Sequence, residues 1–349
     1  DAGAKLGGDC GNLFLRVPAT GAGPKLFLSA HMDTVEKGDR PLEPRAEGDA
    51  VVSDGTTIVG ADDKTGIAVL LEVLACLRED GLAHGELCVN FTVCEEIELL
   101  GARAMSPGRY AGFDGGIALD HSFPNEIPVG APGKKALAIT VNGIGGHGAH
   151  PERRINAAHV LAKALARLPS GRLDEHSTCN LGVMRAGTAI NVIPGEAYAE
   201  YEIRSHRDDL LAFHLENALT TLEAAVREAR FLLTPRELQR PTARPPEDPM
   251  HKATVDVMIS DCYEAYRLEP DALPVRILER AVRDAGLEPH TLVAAGGSDA
   301  NVFNRRGLRC ALLGCGMHGA HGVNEQAVLP EMVQAAQVLL KAVGPQARE

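Results

Sequence analysis

A chain of 349 residues is longer than one ordinary hydrophobic core holds and suits two domains. Hydrophobic residues at 45%, charged residues at 23% and a formal net charge of −12 describe a soluble globular protein. They argue against nucleic-acid or anionic-membrane partners, which need basic patches. No apolar run approaches the ~18 residues of a membrane helix, and no signal-peptide pattern opens the chain. The eight cysteines contain no Cys-x-x-Cys pair and lie mostly in apolar runs, as expected of reduced, buried thiols in a cytoplasmic protein. The sequence starts at Asp1 without a Met, which leaves open a preceding piece on which localisation partly rests.

In chain order, residues 26–30 form a short apolar run that delivers His31-Met32-Asp33. An acidic turn, residues 60–66, carries Asp62 and Asp63 ahead of a helical pattern over 65–78, in which Ile67, Leu70, Leu71, Leu74 and Leu77 recur at helical spacing. Residues 87–93 deliver Glu95 and Glu96, and residues 116–119 deliver Asp120. The character changes near Pro132-Gly133, where the chain reads as a strand (136–141), a glycine-rich loop, a helix (155–168), strands (178–184 and 197–203) and a helix (208–230). Residues 231–252 hold five prolines and read as an irregular insertion before a strand at 254–259. From about Pro270 come a helix (273–285), a strand (291–294), the turn Gly296-Gly297-Ser298-Asp299, a strand near Ala311, a Gly-rich segment with His318 and His321, and a helix (331–343). The pattern predicts an α/β catalytic domain with a mostly parallel sheet, residues 1–133 and 270–349, interrupted by an α+β domain, residues 134–269.

The candidate ligands sit just past the carboxyl ends of strands, where open α/β sheets build their sites. His31, Asp62, Glu96, Asp120 and His321 supply nitrogen and oxygen donors with no thiolate, a set suited to zinc, cobalt or manganese at a hydrolytic site. One cation would take His31 and Asp120, the other Glu96 and His321, with Asp62 bridging. Glu95, beside a ligand but assigned to neither cation, suits a general base that later serves as acid to the leaving amine. Asp33 suits orientation of the His31 imidazole. Each piece alone has an ordinary alternative: paired glutamates are commonly a solvated face, and Asp before a helix is commonly a cap. The specificity lies in all five ligands arriving at strand ends in one chain.

With these residues assembled, the chain resembles the peptidase T-like metallopeptidases, relatives of carboxypeptidase G2, aminoacylase and succinyl-diaminopimelate desuccinylase. The matching stretches are Ser29-Ala30-His31-Met32-Asp33-Thr34-Val35, residues 60–66, Phe91-Thr92-Val93-Cys94-Glu95-Glu96, Gly297-Ser298-Asp299-Ala300-Asn301 and the segment around His321. The resemblance implies a two-metal exopeptidase-type catalytic domain and an inserted lid domain through which such proteins commonly form homodimers. It further implies that His147, in a glycine-rich lid loop over 143–156, helps stabilise the tetrahedral oxyanion, often from the neighbouring subunit. By the same resemblance, Asn191 and Arg204 would hold a substrate carboxylate. A loop histidine and a strand-end surface charge are the ordinary readings of His147 and Arg204.

Three departures stand out. Glu98 occupies the place where such proteins usually have Gly, His121 follows Asp120 where a small residue is usual, and the 231–252 segment is longer than the usual connection. The expected function is a two-metal aminopeptidase acting on short peptides, tripeptidase-like. The competing readings are an N-acyl-amino-acid deacylase or dipeptidase on the same metal core, and a catalytically silent, metal-stabilised binding protein.

Overall fold

The computed structural model describes residues 2–35, 40–152, 154–229 and 252–345. Of the insertion expected at 231–252, all but the last residue lies outside the described residues. The chain divides into two compact units: Asp1–Pro132 together with Tyr263–Glu349, and Gly133–Cys262.

The first unit is built on a five-stranded sheet in the order Leu13–Val17, Leu87–Thr92, Leu26–His31, Gly115–Leu119, Cys310–Leu313. The last four strands run parallel, and Leu13–Val17 closes one edge antiparallel to Leu87–Thr92. Every residue of Leu26–His31 is buried, which explains an apolar run without polar alternation. A parallel pair needs a crossover, and the helix Ala61–Glu79 supplies it between Leu26–His31 and Leu87–Thr92. In the core of this unit, the Phe27 ring meets Tyr110 and Phe303 edge-on at centroid distances of 5.6 and 5.2 Å.

A second sheet in this unit has no counterpart in the sequence reading. Its four short antiparallel strands run in the order Met317–His318, Gln326–Val328, Ala50–Val52, Arg45–Glu47. This sheet holds residues 319–325 close to residues 53–60. The strand expected at 291–294 is His290–Leu292, and it pairs with Glu126–Pro128 outside the main sheet. The return of the chain is marked by Tyr266–Arg267 pairing with Gly130–Ala131, ahead of the return read near Pro270.

The second unit is a five-stranded sheet in the order Gly171–Arg172, Ser177–Ala186, Glu196–Ser205, Gly133–Asn142, Thr254–Tyr263. Ala197, Ala199, Tyr201 and Ile203 turn inward along Glu196–Ser205, as the strict alternation of that stretch requires. They pack with Leu161 of the helix Ala157–Leu165 and Leu222 of the helix Asp208–Arg227 in a core of the unit's own. Asn156 caps the first of these helices by accepting the His159 N–H at 3.1 Å.

Candidate metal centre

His31 ends a strand with no wet face and is 2% exposed, so its ring is delivered into the interior at the carboxyl edge of the sheet. Its Nε2 lies 2.8 Å from Asp62 Oδ1. The other oxygen of Asp62 lies 3.2 Å from His321 Nε2, which in turn is 3.0 Å from Glu96 Oε2. Asp62 thus has one oxygen toward each histidine. Ligating atoms of His31, Asp62 and Glu96 all fall within 4.8 Å of one another.

The turn that presents Asp62 is not regular helix. Gly60 has φ 79°, and Asp62 and Asp63 depart from helical angles, with a cis peptide between them. Asp63 holds the backbone: its carboxylate accepts the His31 N–H and the Gly66 N–H, each at 3.1 Å. A Cβ on Gly66 would stand 2.4 Å from Asp63 Oδ1, so the closing glycine of the acidic motif leaves room for this contact. On the other side, the helix Leu100–Ala104 abuts the end of Leu87–Thr92, and a Cβ on Gly101 would meet the Val93 carbonyl oxygen at 1.8 Å. That close approach fixes where Glu95 and Glu96 begin.

Asp33 binds these glutamates through their main chain. Its two oxygens accept the Glu95 and Glu96 N–H groups at 3.0 and 3.1 Å. The His31 Nδ1 lies 3.1 Å from the Asp33 carbonyl oxygen and 3.6 Å from its carboxylate.

The electrostatics are those of a crowded acidic site. Burial, reinforced by Asp299, Glu96 and Asp62, pushes Glu95 well above the usual carboxylate range despite His31. Asp120 rises likewise through burial and the charges of Glu95 and Asp62. Asp62 goes the other way: burial opposes ionisation, but the contacts with His31 and His321 outweigh it. Those contacts, with Asp62 first and Glu96 second, lift His321 to about 10. Burial disfavours a charged His31, and Asp33 and Asp62 more than reverse that. Carboxylates and imidazoles converging in this way form a donor set that divalent cations satisfy. The nearby Cys315 thiol is driven well up by burial and by Asp63, keeps its proton, and contacts Thr65 Oγ1 at 3.2 Å.

Asp120 follows the strand Gly115–Leu119 as expected but stands outside the close group of His31, Asp62 and Glu96. His121 turns aside, its Nε2 2.8 Å from Glu126 Oε2. In the second unit, His147 and Asn191 are brought together by a two-stranded ribbon in which His147 is opposite Val192 and Gly148 N donates to Asn191 O at 2.8 Å. Arg204 lies on Glu196–Ser205 with its guanidinium on both Glu202 oxygens, at 3.0 and 3.2 Å. Two buried acids were missed in the sequence. Asp299 accepts the Thr92 hydroxyl at 2.5 Å, and burial pushes it up to about 6. Glu325 accepts main-chain N–H groups of the Asp62 turn. Asp299 stood inside a matched motif, which was a usable signal, whereas nothing local distinguished Glu325.

Residues 27–344 match the model of peptidase family M20/M25/M40. The chain belongs to this family. Within it, the chain is 30% identical over 339 residues to the protein YqjE of Bacillus subtilis strain 168, covering 97% of this chain and 85% of that one. The structure of aminopeptidase PepT from Bacillus cereus ATCC 10987 superposes with a TM-score of 0.79 at 29% identity, over 98% of this chain and 86% of that one. A tripeptidase from Staphylococcus aureus subsp. aureus Mu50 gives a TM-score of 0.84 at 28% identity, with the same coverages of 98% and 86%. This M20 chain is therefore a peptidase T-like metallopeptidase, a hydrolase acting on peptides. Among its described residues, no helix is long and apolar enough to cross a membrane.

Proposed function

We propose that this M20 peptidase is a two-metal aminopeptidase that cleaves short peptides, tripeptidase-like, in the cytoplasm. The observation that carries the reading is the placement of Asp62, one oxygen 2.8 Å from His31 and the other 3.2 Å from His321. His31 and Asp120 would hold one cation, Glu96 and His321 the other, and Asp62 would serve both, with zinc the first choice and cobalt or manganese also suited to the donors. Bound there, such cations supply Lewis acidity, lowering the pKa of water toward neutrality and polarising the scissile carbonyl.

Glu95 does the proton work in this reading. It is 8% exposed and its main chain is pinned by Asp33 next to the proposed ligands, which suits a group that takes a proton from the attacking water and returns it to the leaving amine. For His147, Asn191 and Arg204 the support is the family likeness: an oxyanion contact from the first, and a grip on the substrate carboxylate from the other two. Arg204 would share its guanidinium between that carboxylate and Glu202. Homodimerisation through the inserted domain has the same support.

The test is metal content per chain together with turnover of a tripeptide, a dipeptide and an N-acyl amino acid, each with and without chelator. Two cations per chain with chelator-sensitive tripeptide cleavage is the expected result. Turnover of the dipeptide or N-acyl amino acid without tripeptide cleavage would move the activity to a dipeptidase or deacylase. Two cations with no turnover would leave a binding protein.

A further inference from the structure

Glu325 was not singled out by any motif, yet it is 2% exposed and fully engaged. Its Oε2 accepts the N–H groups of Val59 and Gly60 at 2.7 and 2.6 Å, and its Oε1 accepts that of Asp62 at 3.0 Å. These donors open the Asp62 turn and the helix behind it, which has no side-chain cap of its own at Gly60. A carboxylate from a distant loop supplies the acceptor that a local Ser, Thr or Asp would normally provide.

That distant loop is the one that carries His321. Gly322 N donates to Gly319 O at 3.0 Å and Glu325 N to Gly322 O at 3.1 Å, while His321 has φ 67°. The residues after Glu325, Gln326–Val328, pair with Ala50–Val52, and the Ser53 hydroxyl donates to Val323 O at 2.6 Å. One carboxylate therefore fastens the loop bearing His321 to the turn bearing Asp62. With both oxygens committed to main-chain donors, Glu325 is poorly suited to bind a cation or move a proton itself.

We propose that Glu325 is a positioning residue of the metal centre, setting the separation of Asp62 and His321 and thereby the affinity of the cation they share. The proposal rests on the two-metal reading. Glutamine at this position keeps the shape but turns an amide NH2 toward main-chain N–H groups, so the clamp opens on one side.

The experiment titrates Zn2+ into metal-stripped protein against a chromophoric chelator, for the wild type and Glu325→Gln, and follows melting temperature with and without Zn2+. The expected result is two sites in the wild type and, in the variant, one site kept and the other weakened about 10–100-fold. The melting gap between stripped and loaded protein should shrink, and tripeptide kcat should fall and recover with excess Zn2+. A wild type that binds no Zn2+ defeats the two-metal reading itself. Two wild-type sites that the variant reproduces within twofold overturn the positioning role, as does an equal loss of melting temperature in stripped and loaded protein. Should Glu325→Gln not fold, Glu325→Asp replaces it, keeping the charge but withdrawing it by one methylene. The same weakening is expected there, and wild-type affinity overturns the proposal.

Discussion

Asp33 holds Glu95 by its main chain: Oδ1 accepts the Glu95 N–H at 3.0 Å, while Oδ2 takes the next N–H, that of Glu96, at 3.1 Å. Because the same residue borders the His31 imidazole, one carboxylate sets a candidate ligand at each end of the cluster and the candidate base between them. Asparagine has one acceptor where aspartate has two. We expect Asp33→Asn to lower kcat and metal affinity together, each about 10–100-fold, as loss of a group that orients ligands does. Steady-state kinetics beside metal analysis checks this, and an unchanged kcat at full metal loading would refute it.

Glu95 separates chemistry from metal binding. Its carboxylate belongs to neither pair of proposed ligands, so Glu95→Gln should keep near-normal metal content while kcat falls at least about 100-fold, the scale of a lost general base. If the variant loses both cations together, Glu95 is a ligand and the roles must be redrawn.

Removing the cations should also show in stability. His31, Asp62, Glu96, Asp120 and His321 then lose the cations they would hold. A cation present at about 1,000 times its Kd contributes roughly 4 kcal/mol to folding. Chelation is therefore expected to lower the melting temperature by several degrees, with re-added Zn2+, Co2+ or Mn2+ restoring it. A melting curve indifferent to chelator would count against a resident metal.

The parts of this site that were legible in the sequence share one property: each is written locally. His31, Glu95, Glu96 and Asp120 each follow a short apolar run, and each run is a buried strand of the parallel sheet. The Glu196–Ser205 strand was read from its alternation because one face is wet and the other is core. Glu325 was not readable, since its partners lie about 265 residues away and are backbone groups that carry no side-chain signature. The four-stranded sheet was missed for a related reason. Its strands are two or three residues long, too short for any hydrophobic period to register.

The second unit offers a pH test clear of the metal centre. Asp174 accepts from His214 Nε2 and from the His176 N–H, both at 2.7 Å. Burial is the largest single influence and opposes ionisation, but the contacts with His214, His176 and Ser177 together outweigh it, taking the Asp174 carboxyl down to about 2. A folded pKa below the unfolded one means that the stabilisation is full above the ordinary carboxylate pKa and is lost as pH falls toward 2. Asp174→Asn should cost about 1 kcal/mol near pH 6, the scale of a partly exposed pair, and the gap from wild type should close between pH 4 and 2. Urea midpoints at pH 6, 5, 4 and 3 would show it, and a gap that widens in acid would reverse the sign of the argument.

Glu98 stands where relatives of the resemblance usually carry glycine, and its backbone shows what that substitution entails. It adopts φ 59° beside Leu99 at φ 60°, a left-handed turn that leads from Glu95 and Glu96 into the helix Leu100–Ala104. An L-residue there costs roughly 1–2 kcal/mol relative to glycine, and glycine returns about 0.5–1 kcal/mol of that through its freer unfolded chain. Glu98→Gly is thus expected to raise stability by about 0.5–1 kcal/mol, seen as a higher urea midpoint with unchanged slope, while leaving metal content alone. A lower midpoint would mean that the Glu98 side chain contributes more than its backbone conformation costs. In that case, the glutamate belongs to the support of the site and is not a tolerated irregularity behind it.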